Sequence, residues 1–267
     1  MDVLYEIQKR YNNFSAKEKN IADYILRESE TINNINIIKL GKLTNTSGAT
    51  ITRFCKKIEC DSFMDMKIKL GALKKDDSGL KEEGILNDVY FYYNKVIERT
   101  KQSISYEEIL EVVKEIKKAN KIYIYGVGSS GLTSIEMMQR LLRMGFNVSS
   151  ISDSHMMIIN SSIVSKDDLV IGISISGTTE EVINALKISK SNGAKIVSIT
   201  SFEESLITKL GDINLIVYNT LFVDNKRFIN TQFAIMYIID LISMILLEEK
   251  ELGNNMNKTI EAIINNR

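Results

Sequence analysis

The sequence predicts an all-α head joined to an α/β body, whose core is a five-stranded parallel sheet flanked by helices on both faces. Three observations carry this reading. Residues 1–70 hold only helix signals, namely capping residues followed by apolar side chains at three- and four-residue spacing. From Lys121 onward short apolar runs alternate with helical patterns, as parallel strands covered on both faces require. Charge divides the chain in the same place. Residues 1–75 carry 14 Lys and Arg against 9 Asp and Glu, the rest carry 20 against 25, and the whole is formally neutral. A chain of 267 residues, 44% hydrophobic and 25% charged, is long enough for two ordinary globular domains.

In the head, Ser15-Ala16-Lys17-Glu18 reads as a capping box, and Ile21, Tyr24 and Ile25 follow at helical spacing. A short helix at about Ile37–Leu43 is followed by the turn Thr44-Asn45-Thr46. Ser47 then caps a second helix reaching about Ile58. A further helix after Asp61 places Phe63, Met66 and Leu70 on one face. Leu73 to Gly84 has no apolar period and reads as a linker between a domain of residues 1–72 and one of residues 85–267. Two helices follow it, about 85–103 and 106–118, the second opening with the capping box Ser105-Tyr106-Glu107-Glu108.

In the body the predicted strands are 122–125, 147–151, 169–173, 195–200 and 213–217. The predicted helices are 131–144, 154–161, 179–192, 203–210 and 228–249. Ligands of such folds sit at the carboxyl ends of the strands. Two Ser/Gly loops fall there, Gly126-Val127-Gly128-Ser129-Ser130-Gly131 and Ser174-Ile175-Ser176-Gly177-Thr178-Thr179. Each follows a strand and opens a helix. Hydroxyl donors, close-approaching glycine backbone and free N–H groups at the helix start would together hold a phosphate.

Several classes of function are set aside. Cys55 and Cys60 stand five apart, neither a redox pair nor a zinc pattern, and His155 is the single histidine. The cysteines are expected to be reduced and buried, and no metal, cofactor or catalytic residue is expected. The start Met1-Asp2-Val3-Leu4-Tyr5-Glu6 lacks a basic-then-apolar signal. The apolar run Phe233–Leu247 is interrupted by Asp240 and is short for a membrane span. A cytoplasmic chain with no membrane partner is expected.

The pair 38–43 and 47–58 has helix-turn-helix form. Ile51, Phe54, Cys55 and Ile58 make its packed stripe. Ser47, Ala49, Thr50, Arg53, Lys56 and Lys57 are the candidate DNA-binding residues, on a segment (36–75) with 9 basic against 3 acidic side chains. Small residues at the front admit the helix to the major groove. Thr50 and Arg53 can reach base edges, and Lys56 and Lys57 sit nearer phosphates.

These motifs, in this order, resemble the RpiR family of bacterial transcriptional regulators. The head is similar from Phe14-Ser15-Ala16-Lys17-Glu18 through Ala49–Ile58 to Phe63–Lys67. Residues from about 105 to 250 resemble the sugar isomerase (SIS) domain that such regulators carry, through the two Ser/Gly loops and Asp153-Ser154-His155. The resemblance implies a double-stranded DNA operator and a sugar-phosphate effector. Its phosphate would be held by Ser130, Ser174, Ser176 and Thr179, with Ser129 and Gly177 alongside and His155 near the sugar. It also implies genes of carbohydrate or amino-sugar metabolism. Two positions depart from the family pattern. Thr178 stands where an acid is frequent, and Thr231-Gln232 stands where Ser-Arg is frequent, with Arg227 a few residues earlier.

The alternative reading is a sugar-phosphate isomerase with a basic helical extension. Its base would be His155 or Glu181, but no acid–base pair stands out, and the basic segment would go unexplained. A homodimer or tetramer is expected, since the last helix is strongly apolar and dimeric heads match palindromic half-sites.

Overall fold

The computed structural model describes residues 3–28, 32–72, 84–218 and 230–265. The chain divides into two compact units, Met1–Arg99 with Tyr218–Thr231, and Thr100–Val217 with Gln232–Arg267.

The first unit contains α1 (Val3–Arg10), α2 (Ala16–Arg27), α3 (Ile37–Thr44), α4 (Gly48–Lys57) and α5 (Phe63–Ala72). Their apolar faces close on one core, in which Ile7, Ile21, Ile25, Leu40, Ile51, Phe54, Ile58 and Met66 are fully buried. The capping box at α2 forms as the sequence predicts. Ser15 Oγ accepts from Glu18 N at 3.4 Å, and Ser15 N donates to Glu18 Oε2 at 2.8 Å. Asn36 caps α3 and Ser47 caps α4. The turn between them is tight because Asn45 takes a left-handed conformation (φ 52°) and Thr46 N donates to Gly41 O at 2.8 Å. A Cβ on Gly41 would lie 2.8 Å from Thr46 O, so only glycine fits there. α1 is an addition to the predicted elements. It is two turns long, and only Val3, Leu4 and Ile7 mark its apolar side.

After α6 (Gly84–Ser103) and α7 (Tyr106–Lys118) the second unit is built on β1 (Ile122–Gly126), β2 (Val148–Ile151), β3 (Leu169–Ile173), β4 (Lys195–Thr200) and β5 (Ile213–Ile216). All neighbouring pairs are parallel and the order is β2-β1-β3-β4-β5. β1 and β3 are buried at every position, which is why they read as continuous apolar runs. The helices between strands are α8 (Ser129–Arg143), α9 (Ser154–Ile163) and α10 (Glu180–Ser191). α9 and α10 cover one face, with Met157, Val182 and Leu186 packed on Tyr125, Val170 and Ile196. α7, α8 and α11 (Phe233–Leu247) cover the other. The five-stranded sheet and its two covered faces are those predicted.

Two expectations change. Residues 203–210 form turns rather than a helix. There Thr208 Oγ1 bonds Glu203 O at 2.8 Å and Ser205 O at 3.0 Å, a side-chain alternative to the helical ladder. α12 (Lys250–Asn265) extends the chain beyond the predicted last helix. Its Asn- and Gly-containing sequence is a weak helix former, and it buries no residue fully. It is tied to α8 by Asn255 Nδ2 donating to Met144 O at 3.2 Å and by Arg143 Nε donating to Thr259 Oγ1 at 3.0 Å. In α11, Ile235, Ile238, Ile239, Ile242 and Leu246 are buried within the unit, Phe233, Met236, Tyr237 and Leu241 are half-buried, and Met244 is exposed.

The predicted linker lies outside the described residues except at Gly84, which opens α6, and positions 228–229 of the predicted last helix also lie outside them. Among the described residues no helix is long and apolar enough to cross a membrane.

Candidate anion site and candidate nucleic-acid interface

From β1 the chain passes through α8 to β2 on one side, then through α9 to β3 on the other side of β1. The boundary between β1 and β3 is therefore a topological switch point, where the outgoing loops part and leave a crevice. Gly126, the last residue of β1, pairs with Ile173, the last of β3. The two Ser/Gly loops leave the sheet side by side at this point.

The first loop owes its shape to glycine. Gly128 has φ 60° and ψ −129°, a region closed to other residues. A Cβ on Gly126 would lie 2.6 Å from Ser130 O, so the strand end and the first turn of α8 touch backbone to backbone. Ser130 is buried there and Ser129 is exposed.

The second loop is fixed by hydroxyls. Ser174, almost fully buried, accepts from Gly177 N at 3.1 Å and lies 2.8 Å from Thr179 Oγ1. Ser176 and Thr178 are both exposed, and Ser176 Oγ accepts from Thr178 N at 3.3 Å and from Thr178 Oγ1 at 3.1 Å. Thr178 thus braces the loop at the position where the family pattern favours an acid. Gly177 has φ 68°, and a Cβ on it would come within 2.5 Å of Ser205. The β4–β5 connection supports the loop from behind, with Ser201 N donating to Ile175 O at 3.1 Å and Ile207 N to Gly177 O at 3.2 Å.

Both loops feed helices whose starts carry no side-chain cap. α2, α3, α4 and α9 are capped by the side chains of Ser15, Asn36, Ser47 and Asp153. At α8 the N-cap is Gly128, and at α10 it is Thr179, whose hydroxyl turns to Ser174 instead. The first N–H groups and the positive dipole ends of two helices, with serine hydroxyls between them, suit an anion. His155 is exposed in the first turn of α9, beyond β2, the strand on the outer side of β1. It shares the carboxyl edge of the sheet with the loops but is not on either of them.

Sequence reasoning misses one member and marks another only as a departure. Thr133, one turn after Ser129 on α8, is buried and donates to Ser129 O at 3.0 Å. Gln232, at the start of α11, is buried, and its Oε1 lies 3.2 Å from Thr133 Oγ1 and 3.5 Å from Ser130 Oγ. The spacing of Thr133 from Ser129 is the available signal for the first. Nothing local in the sequence joins Gln232 to α8. Among the described residues no group of three or more His, Cys, Asp or Glu side chains could hold a metal ion.

In the head, α4 presents Ala49, Arg53, Lys56 and Lys57 exposed and Thr50 half-exposed, opposite the buried Ile51, Phe54, Cys55 and Ile58. Ser47 and Thr50 share a hydroxyl contact of 2.9 Å, so Ser47 shapes the helix start. Thr52, outside the predicted set, is exposed between Ala49 and Lys56 on the same side. Lys57 is engaged inside the head: its Nζ lies 2.7 Å from Glu18 Oε1. Burial works to raise the Glu18 carboxyl, but hydrogen bonds from Lys57 and Ser15 outweigh it and hold it below the usual carboxylate range. Cys55 and Cys60 are free and buried. Burial pushes their thiols up, to about 12 and about 11, so they stay protonated and inert.

Comparison with known proteins matches two regions of the chain to known domains. The helix-turn-helix domain of the rpiR family matches residues 1–76 and the SIS domain matches residues 115–236. An HTH-type transcriptional regulator of Haemophilus influenzae is 31% identical over 281 residues, covering 100% of this chain and 98% of that protein. Among solved structures, Vibrio vulnificus NanR complexed with ManNAc-6P has a TM-score of 0.63 at 24% identity, over 100% of this chain and 99% of its own. The sugar isomerase domain of an RpiR transcription factor from Sphaerobacter thermophilus has a TM-score of 0.62 at 15% identity, over 67% of this chain and 99% of its own. These two establish the shared fold. A helix-turn-helix head followed by a SIS domain defines the class, an HTH-type transcriptional regulator rather than an enzyme. Within that class the chain belongs to the RpiR family.

Proposed function

We propose that this regulator binds operator DNA through α4 and that a phosphorylated sugar in the β1/β3 crevice modulates that binding. The observation that carries the effector half is the pair of serine-bearing loops at one switch point, each opening a helix without a side-chain cap. Ser174, Ser176, Gly177 and Thr179 form one wall of the phosphate site, Ser129 and Ser130 the other, and His155 stands toward the sugar. The NanR structure of the same fold contains ManNAc-6P, which supports an amino-sugar phosphate as the first compound to try. Domain roles follow the sequence: residues 1–72 bind DNA, 73–84 link, and 85–267 sense.

On the DNA side, Arg53 reads bases, with Ala49 and Thr50 admitting the helix and Lys56 meeting phosphate. Lys57 holds α4 against α2 through Glu18 and meets the backbone only at its edge. A homodimer places two heads on a two-fold operator and cytoplasmic placement follows from the DNA target. The regulated genes handle carbohydrates or amino sugars.

The test is selection of bound sequences from random duplex DNA, followed by titration of the complex with sugar phosphates. Enrichment of a two-fold site, lost in Arg53→Ala and shifted by one sugar phosphate but not by its free sugar, supports the proposal. No enriched sequence, or equal response to phosphorylated and free sugars, rejects it.

A further inference from the structure

We infer that Thr52 is a specificity-determining residue of α4, whose methyl group meets the 5-methyl of a thymine beside the base read by Arg53. The inference rests on the reading above of α4 as the helix that enters the major groove.

Thr52 lies on the outward side of α4 and is exposed. Its hydroxyl is turned back along the helix, where Oγ1 donates to Gly48 O at 3.0 Å. A threonine held in this way presents its Cγ2 methyl to whatever approaches the helix. The hydroxyl of Thr50 is also engaged within the head. Its Oγ1 lies 2.9 Å from Ser47 Oγ, which accepts from Thr50 N at 3.2 Å. Ala49 is exposed and carries only a methyl. Residues three and four apart are neighbours on a helix surface, so Ala49 stands beside both Thr52 and Arg53, and Thr52 stands beside Lys56. α4 therefore offers a small methyl patch, Ala49 Cβ and Thr52 Cγ2, next to the guanidinium of Arg53 and the ammonium of Lys56.

Such a patch distinguishes bases. In the major groove thymine presents a methyl group where cytosine presents no methyl but an amino group. Methyl against methyl takes apolar surface out of water, and one such group is worth about 4-fold in affinity. A cytosine amino group set against the patch would lose its water and gain no acceptor from either methyl. A threonine hydroxyl free to rotate would serve several bases, because it both donates and accepts. The bond to Gly48 O removes that ambiguity. Arg53 takes guanine through its bidentate fork. Each half-site should then hold a thymine next to the guanine that Arg53 reads.

The test uses the full chain. Wild type, Thr52→Val and Thr52→Ser each select bound sequences from random duplex DNA. Valine keeps the methyl and the shape without the hydroxyl, and serine keeps the hydroxyl without the methyl. The position is exposed, and the three residues differ little in helix propensity, so both variants should fold. The base read by Arg53 is marked by the preference that Arg53→Ala relaxes. Each thymine of the wild-type half-site is then replaced singly by deoxyuridine, which lacks the 5-methyl, and binding isotherms are measured at one salt concentration. At one thymine beside the marked base, the replacement should weaken wild type and Thr52→Val about 4-fold and Thr52→Ser less than about 2-fold. Selection should keep that thymine with wild type and Thr52→Val and lose it with Thr52→Ser.

Equal sensitivity to deoxyuridine in wild type and Thr52→Ser would overturn the inference. So would a loss of the thymine preference in Thr52→Val with its retention in Thr52→Ser, because the hydroxyl would then be the reading group. If wild type selects no sequence, or Arg53→Ala relaxes no position, the reading of α4 fails and this inference with it. If Arg53→Ala relaxes one position while no deoxyuridine replacement separates wild type from Thr52→Ser, only the role of Thr52 fails.

Discussion

Ser174 Oγ lies 2.8 Å from Thr179 Oγ1, and this contact spans the turn that carries Ser176 and Gly177. It closes the loop after β3 before any ligand arrives. It also diverts the Thr179 hydroxyl from capping α10, leaving the helix end open toward the crevice. Replacement of Ser174 by alanine should therefore remove an anion donor and loosen the loop together. The expected result is loss of the sugar-phosphate-induced rise in melting temperature, with selected DNA bound as tightly as by wild type. Ser176→Ala, which leaves the loop contacts of Ser174 with Gly177 and Thr179 in place, should weaken the same response with less effect on ligand-free stability.

Gly177 is a steric requirement of that loop. Alanine there would adopt φ 68° with its Cβ within 2.5 Å of Ser205. A left-handed non-glycine residue costs about 1–3 kcal/mol where the surroundings enforce it. Thermal melting of Gly177→Ala should show a loss in that range. Ser205→Gly in the same chain should recover the part due to the clash.

On DNA, Arg53→Ala should cost about 1–3 kcal/mol and relax the preference at one position of each half-site. Lys56→Ala should weaken binding evenly across sequences and reduce the salt slope by about 0.9 for each phosphate that Lys56 neutralises. Lys57→Ala should differ from both. Its partner is Glu18, so the change should lower the melting temperature of the head and leave the salt slope nearly intact. Binding isotherms at several salt concentrations separate the three.

The Glu18–Lys57 pair also sets a pH dependence. The folded-state pKa of Glu18 lies below its ordinary value, so the stability it contributes is complete above that ordinary value. It is lost as pH falls through the ordinary value toward the lowered one. Melting curves between pH 7 and about pH 3 should show wild type losing more stability than Glu18→Gln across the acid limb below about pH 4.3. Parallel curves would mean that the pair does not contribute.

Much of this molecule is legible in the sequence because its signals are local. The capping box at Ser15–Glu18, the Ser47 cap and the buried stripe Ile51, Phe54, Cys55 and Ile58 lie within one or two turns, and each is found in place. The runs Ile122–Tyr125 and Leu169–Ile173 read as strands because both faces of the sheet are covered. What is not legible depends on distance in sequence or on competing local bonds. Gln232 reaches Ser130 across 102 residues, and Lys57 reaches Glu18 across a turn of the fold that no pattern announces. Residues 203–210 have helical composition, but the hydroxyl of Thr208 captures the carbonyls of Glu203 and Ser205. α12 is amphipathic, yet its asparagines and glycine argue against a helix, and only its seat on α8 settles it.

The most direct test of the effector claim is thermal melting of the pure protein against a panel of sugar phosphates, each paired with its free sugar and repeated in Ser176→Ala. A ligand present at about 100 times its dissociation constant should add about 2.7 kcal/mol of stability. A phosphate site in the β1/β3 crevice should give a clear rise with at least one phosphorylated sugar, no rise with its free sugar, and a diminished rise in the variant. A rise that is the same for free sugars, or that persists unchanged in Ser176→Ala, would contradict a phosphate site in the β1/β3 crevice.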